Sequence, residues 1–256
     1  MQNLALIKLG GSVITFKDKP LSANTDAIDG ISGALASLGI PTIIVHGGGS
    51  FGHHWSVKYD MHTKPAPYGA HGVSVVHESM IALNQIISIS MIRAGLNPYS
   101  VAPPMFTTGH KAISVKIREL YTIAKSKLVP VTFGDVVHMA GRNYSILSGD
   151  ALMSILAKVL RPSKVIFVTN VDGIYRDLNT KELVTELVAK GKADPIKFSH
   201  AVGADVTGGM QRKVKEAFKI ASFGIDVMLI NGLVPERIGQ AVSGKLQVGT
   251  VIRGAK

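Results

Sequence analysis

Short apolar runs alternate along the chain with segments of helical period. NLALIKLG, residues 3–10, predicts a first strand. In TDAIDGISGALASLG, Ala27, Ile28, Ile31, Ala34, Leu35 and Leu38 share one helical face, with Asn24 or Thr25 as cap and Gly39 as C-terminal stop. PTIIVH predicts a second strand, residues 73–94 a long apolar helix ending at Gly95, and residues 99–103 a further strand. A helix through 117–124 precedes the strand LVPVTF, and Gly141 turns a hairpin around 140–143. From SGDALMSILAKVL the pattern restarts: a helix, the strand KVIFVTNV, a helix around 182–189 and another over 208–223. The strand DVMLING, a short helix from about Pro235 and the strand GTVIR complete it. This succession predicts an α/β protein whose two halves share one largely parallel sheet, with no linker or short repeat between them.

Composition narrows the picture. With 256 residues, 46% hydrophobic and 18% charged, the chain can bury a sizeable core. The absence of cysteine excludes disulfides, thiolate nucleophiles and thiolate metal sites, and fits a reducing compartment. Lys8 interrupts the first apolar run, which is too short for a signal peptide, and no stretch reads as long enough for a membrane span. A cytoplasmic location without a membrane partner is therefore expected. The net charge of +11 favours anionic ligands. Lysines and arginines over 111–127, 181–197 and 212–219 have helical spacing and few interleaved aromatics, so they read as solvated faces and not as a nucleic-acid surface.

Four glycine-bearing turns follow predicted strands or open helices: KLGGS at 8–12, HGGGSFGH at 46–53, SGD at 148–150 and TGGMQRK at 207–213. Each allows backbone N–H groups to approach an anion, and together they suit a ligand with several phosphates. Lys8 ends an apolar run, where an ammonium without a partner is costly. With Lys17 and Lys213 it could surround a transferring phosphoryl group. Asp150 is either a helix cap or the carboxylate that holds these lysines, and Asp172 either a turn former or a ligand contact. GxxxxGK[ST] and the protein-kinase HRD and DFG motifs are missing. Gly47, Gly49 and Gly52 satisfy GxGxxG, yet no acidic residue stands between 61 and 77 to take a ribose. Adjacent His53 and His54 cannot both face one site on a regular element, and no metal-binding spacing occurs.

In order, KLGGS, VHGGGSFGH, SGD and DVTGGMQRK resemble the amino acid kinase superfamily, and the glycine loop closed by a histidine, GGGSFGH, is similar to isopentenyl phosphate kinases of the archaeal type. The resemblance implies a three-layer αβα sandwich with a mainly parallel central sheet, formed by residues 1–256 as one domain. It implies an acceptor-binding lobe over about 1–147, a lobe over about 148–256 that binds ATP with Mg²⁺, and a homodimer. On this likeness Lys8, Leu9, Gly10, Gly11, Ser12 and Gly49 contact the nucleotide phosphates, while Gly48, His53 and Gly149 hold the acceptor phosphate. Lys17 corresponds to the transition-state stabiliser, Lys213 to the lysine on ATP, Asp172 and Gly209 to nucleotide contacts, and Asp150 to the carboxylate orienting the lysines.

The implied reaction is ATP-dependent phosphorylation of isopentenyl phosphate to isopentenyl diphosphate in isoprenoid biosynthesis. A phosphate monoester, with a second pKa near ~6, needs no general base, which leaves His53 as a hydrogen-bond donor. Met80, Ile81, Leu83, Ile86 and Ile87 are expected to line the space for the alkenyl tail. The chain departs from the pattern at Gln211, where some members carry a second lysine, and at His54–Trp55; the roles of His54, His71, His77 and Glu78 stay open. The alternatives are a kinase for dimethylallyl phosphate or a fosfomycin-like phosphonate, and a non-catalytic nucleic-acid-binding protein, which leaves the four glycine turns unexplained.

Overall fold

The computed structural model describes residues 2–61, 67–141, 143–177, 179–189 and 208–255. Its first half carries β1 (Gln2–Leu9), α1 (Gly11–Ile14), α2 (Thr25–Ala36), β2 (Thr42–His46), α3 (Gly49–Lys58), α4 (Ala70–Arg93) and β3 (Pro98–Ser100). Next come the pair β4 (Thr107–Thr108) and β5 (Lys111–Ala112), α5 (Ser114–Lys125), β6 (Val129–Phe133), and the hairpin β7 (Asp135–Met139) and β8 (Asn143–Leu147). The second half has α6 (Gly149–Leu160), β9 (Pro162–Thr169), β10 (Ile174–Asp177), β11 (Glu182–Val184) and β12 (Glu186–Val188). It ends with α7 (Gly208–Ala221), β13 (Val227–Asn231), α8 (Glu236–Ser243) and β14 (Thr250–Arg253).

Eight strands form one sheet in the order β12-β14-β13-β9-β1-β2-β6-β3, parallel except where β13 meets β14. The halves thus share a continuous sheet, as the alternating pattern predicts. Along β1 the side chains alternate between two cores. Leu4 and Leu6 pack with α5, α6 and α7, whereas Ala5, Ile7 and Leu9 pack with α2, α4 and α8. The result is helix, sheet, helix. Because β1 pairs with β2 on one side and with β9 on the other, the chain reverses direction across the sheet there, and the carboxyl ends of these strands open a crevice.

Three expectations are corrected. Residues 182–189 form β11 and β12 instead of a helix. The repeat ELVTELV mimics a four-residue period, but its valines and Thr185 are β-branched and pair readily in strands. The glycine run of 47–52 is not a loop up to His53, since α3 begins at Gly49. Finally, α4 is long and apolar enough by composition to cross a membrane. Here its Leu83, Ile87 and Met91 enter the core shared with α2 and β6. Thr207 and residues 190–197 of the basic stretch lie outside the described residues.

Candidate active site

A cleft of about 1210 Å³ opens at the carboxyl ends of the central strands, bordered by Lys8, Gly11, Ser12, Lys17, Gly48, Gly49, His53, Gly149, Asp150, Gly209 and Lys213. Of the residues the sequence singles out, Leu9, Gly10 and Asp172 stand off it. Leu9 is core, its carbonyl accepting from Gly47 N–H, and the Gly10 N–H donates to Val168 O. The Asp172 carboxylate accepts from Asn231 at 3.0 Å and pairs with Arg237.

Lys8 is only 4% exposed, and its Nζ lies 2.5 Å from Asp150 Oδ1. Asp150 is not the cap of α6: Ser148 is, accepting from Ala151 N–H, which leaves the Asp150 carboxylate free to face the lysines. Lys213 Nζ sits 3.9 Å from the same oxygen. Burial alone would raise the Asp150 pKa, but Lys8 and Lys213 outweigh it and hold the carboxyl below the usual range. Burial, then repulsion from Lys8, Arg212 and Lys17 against the pull of Asp150, pushes the Lys213 ammonium down to about 8. Lys8, Lys213 and Arg212 therefore crowd one carboxylate, with Lys17 adding its repulsion to Lys213, an arrangement that an anionic ligand would relieve.

The opposite wall is the N-terminus of α3. Gly49 has φ +47, and a Cβ there would stand 2.0 Å from Thr15 Oγ1; a Cβ on Gly11 would stand 2.3 Å from Gly49 N. The two glycine turns interlock backbone to backbone, as a chain closing around phosphate requires. His53 and His54 both border the cleft, which corrects the expectation that adjacency keeps one of them away. Successive helical residues diverge by about 100°, and a cleft this wide spans that angle. Beyond them the border turns apolar, with Val57, Met61, Tyr68, Val76, Met80 and Ile146. Only Met80 of the five expected tail residues is there; Leu83 and Ile87 are core and Ile86 packs on it. His71 meets Tyr59 edge-on, and His77 Nδ1 lies 2.7 Å from Asp135.

The sequence reading missed His46, Arg212, Thr15 and Ser50. His46 ends the fully buried β2, stacks on Phe133 at 5.3 Å, and is held down to about 4, chiefly by burial. Neutral, it has one ring N–H; Nδ1 lies 3.2 Å from Gly47 O and Nε2 3.3 Å from the Asn84 amide, which fixes the root of the glycine turn. A polar residue closing an apolar run is the signal that singled out Lys8, and it was equally present in TIIVH.

Comparison with known proteins gives the same direction. The profile of the Amino acid kinase family matches residues 3–231. The chain is 35% identical to the isopentenyl phosphate kinase of Thermoplasma acidophilum, covering 98% of this chain and 100% of that one. It is 30% identical to the isopentenyl phosphate kinase of Methanothermobacter thermautotrophicus, covering 98% and 99%. A crystal structure of an isopentenyl phosphate kinase substrate complex superposes with a TM-score of 0.80 at 31% identity, covering 98% of this chain and 100% of that one.

Proposed function

The chain belongs to the amino acid kinase family, and on that premise we propose that it phosphorylates isopentenyl phosphate with MgATP, giving isopentenyl diphosphate and ADP. An oxygen of the acceptor phosphate attacks the γ-phosphorus in line, the bond to the β,γ-bridging oxygen breaks, and ADP leaves with that electron pair. The observation that carries the reading is the cation cluster of Lys8, Arg212 and Lys213 around Asp150, with Lys17 bordering the same cleft, facing an α3 N-terminus. Two anions must meet for this reaction, and a protein can contribute mainly position and positive charge.

In this assignment residues up to about 147 mainly hold the acceptor and those from about 148 mainly the nucleotide, with Lys8 and its glycine turn serving the nucleotide and Gly149 the acceptor. Lys8 and Lys213 carry the nucleotide phosphates, with Asp150 orienting them; Gly209 lies in the first turn of the helix beneath them. Lys17 meets the charge that develops on the transferring group. The acceptor phosphate rests on the N–H of Gly48 and the nucleotide phosphates on that of Gly49, two groups that have no acceptor among the described residues. His53 and Gly149 flank it, and the alkenyl tail extends to Met80, Val76 and Ile146. Mg²⁺ would enter with the nucleotide, held by its phosphate oxygens and by water, and would neutralise charge on the transferring phosphates.

A coupled ADP-release assay across isopentenyl phosphate, dimethylallyl phosphate, fosfomycin and glutamate tests this. Isopentenyl phosphate is expected to give the highest kcat/KM; last place for it would refute the assignment.

A further inference from the structure

The loop bearing Lys17 and the helix end facing the acceptor are joined by two hydroxyls that no glycine motif explains. Thr15, 2% exposed, donates from Oγ1 to Gly11 O at 2.7 Å and accepts at 2.9 Å from the backbone N–H of Ser50. That N–H belongs to the first turn of α3, whose donors have no partner within the helix. The N-cap residue, Gly48, has no side chain to take it. Thr15 therefore caps α3 from another segment of the chain. Ser50, 5% exposed, bonds in the other direction: its Oγ donates to Ser22 O at 3.3 Å and accepts from Ser22 N–H at 3.2 Å.

Residues 15 and 23 form a bridge, and Phe16 N–H donates to Ser22 O. The six residues between Thr15 and Ser22, Lys17 among them, thus spring from a base pinned at both ends to α3. Through Gly11 O the same hydroxyl reaches the nucleotide-side turn. We propose that Thr15 and Ser50 are positioning residues that clamp the Lys17 loop to the α3 N-terminus, so that the Lys17 ammonium and the phosphate-binding N–H groups are set as one unit. The assignment of Lys17 to the transition state rests on the functional reading above; the clamp itself rests on these hydrogen bonds.

Displacing a catalytic ammonium by an ångström lowers kcat steeply while leaving ground-state binding nearly intact. Thr15→Val keeps the shape and removes the hydroxyl, and is expected to lower kcat between about ten- and a hundredfold with KM for ATP within about threefold. Thr15→Ser restores the hydroxyl and is expected to recover most of the rate. In a Lys17→Ala background Thr15→Val should cost clearly less than in the parent, because much of the effect passes through Lys17. Losses that multiply in the double variant, or no loss in Thr15→Val, overturn the proposal. Ser50→Ala, which spares the α3 backbone N–H, serves if Thr15→Val fails to fold.

Hydrogen exchange separates this from the identity of the acceptor. Amides of residues 16–22 should exchange faster in either variant than in the parent protein, with the central strands unchanged. Unchanged exchange there refutes the clamp whatever the acceptor is, whereas accelerated exchange in a protein inactive on isopentenyl phosphate upholds the clamp and refutes the acceptor.

Discussion

Lys213 is the residue where the electrostatics of the site become measurable. Its ammonium is about 8 because burial and three neighbouring cations disfavour the charge, and only Asp150 favours it. If the charged form binds nucleotide, kcat/KM for ATP reports the free enzyme and should fall about tenfold per pH unit above that value. Bound phosphate raises the pKa, so kcat should hold to higher pH. Lys213→Arg, whose guanidinium stays protonated, should remove the alkaline limb; a pH-rate profile flat to pH 10 in the parent would contradict the assignment. The sequence made Lys8, Lys213 and Asp150 visible, since a charge ending an apolar run is out of place unless something holds it, and glycine turns carrying lysines and a carboxylate point to an anion. It did not reveal that Ser148 caps α6 and so frees Asp150, because Ser and Asp are equally good caps. Thr15 was illegible for another reason: its partners are backbone atoms of Gly11 and Ser50, and backbone contacts across 35 positions leave no pattern.

At the scale of elements, the junction of α1 and α3 depends on glycine for room and for handedness. Gly49→Ala must adopt φ +47 and bring a Cβ against Thr15 Oγ1 and Gly11 O, neither of which can retreat without breaking the cap on α3. It should lower stability by roughly 1–3 kcal/mol and kcat by more than about a hundredfold. Gly33→Ala in α2 is the matching control, because a Cβ there meets nothing within 4 Å. It should gain roughly 0.5–1 kcal/mol with kcat unchanged, as thermal unfolding and the ADP-release assay will show. The elements with clean periods, such as β1, α2 and β9, were legible because their apolar positions match the faces they bury. α3 was not, since GSFGHHWSVK buries only Ser50, Phe51 and Ser56, and three apolar positions across ten residues set no period. β11 and β12 were misread for the opposite reason, a repeat that fits the helical period too well. There the neighbouring strands decide, β10 pairing with β11 and β14 offering Val251 and Ile252 as ladder partners for Glu186 and Leu187 of β12.

For the whole molecule, the sheet's reversal at β1 draws four cations from three segments, at residues 8, 17 and 212–213, into one cleft of a chain that already carries +11. The ligand-free protein therefore holds a repulsion that Asp150 alone offsets within the cluster. Asp150→Asn keeps the volume and removes the charge, leaving Lys8 buried without a counter-ion. The loss should be about 3 kcal/mol, or roughly 6–12 °C in Tm for a chain of this size. An anion in the cleft acts in the opposite sense and should act more strongly on the variant, whose cations lack the Asp150 charge. Saturating MgADP or pyrophosphate is thus expected to raise the Tm of Asp150→Asn by more than that of the parent, even though its turnover falls. Added neutral salt should narrow the gap only slightly, since buried pairs are weakly screened. Equal Tm shifts in the two proteins would mean that the phosphates bind elsewhere, and the cation cluster would then have no part in holding the nucleotide.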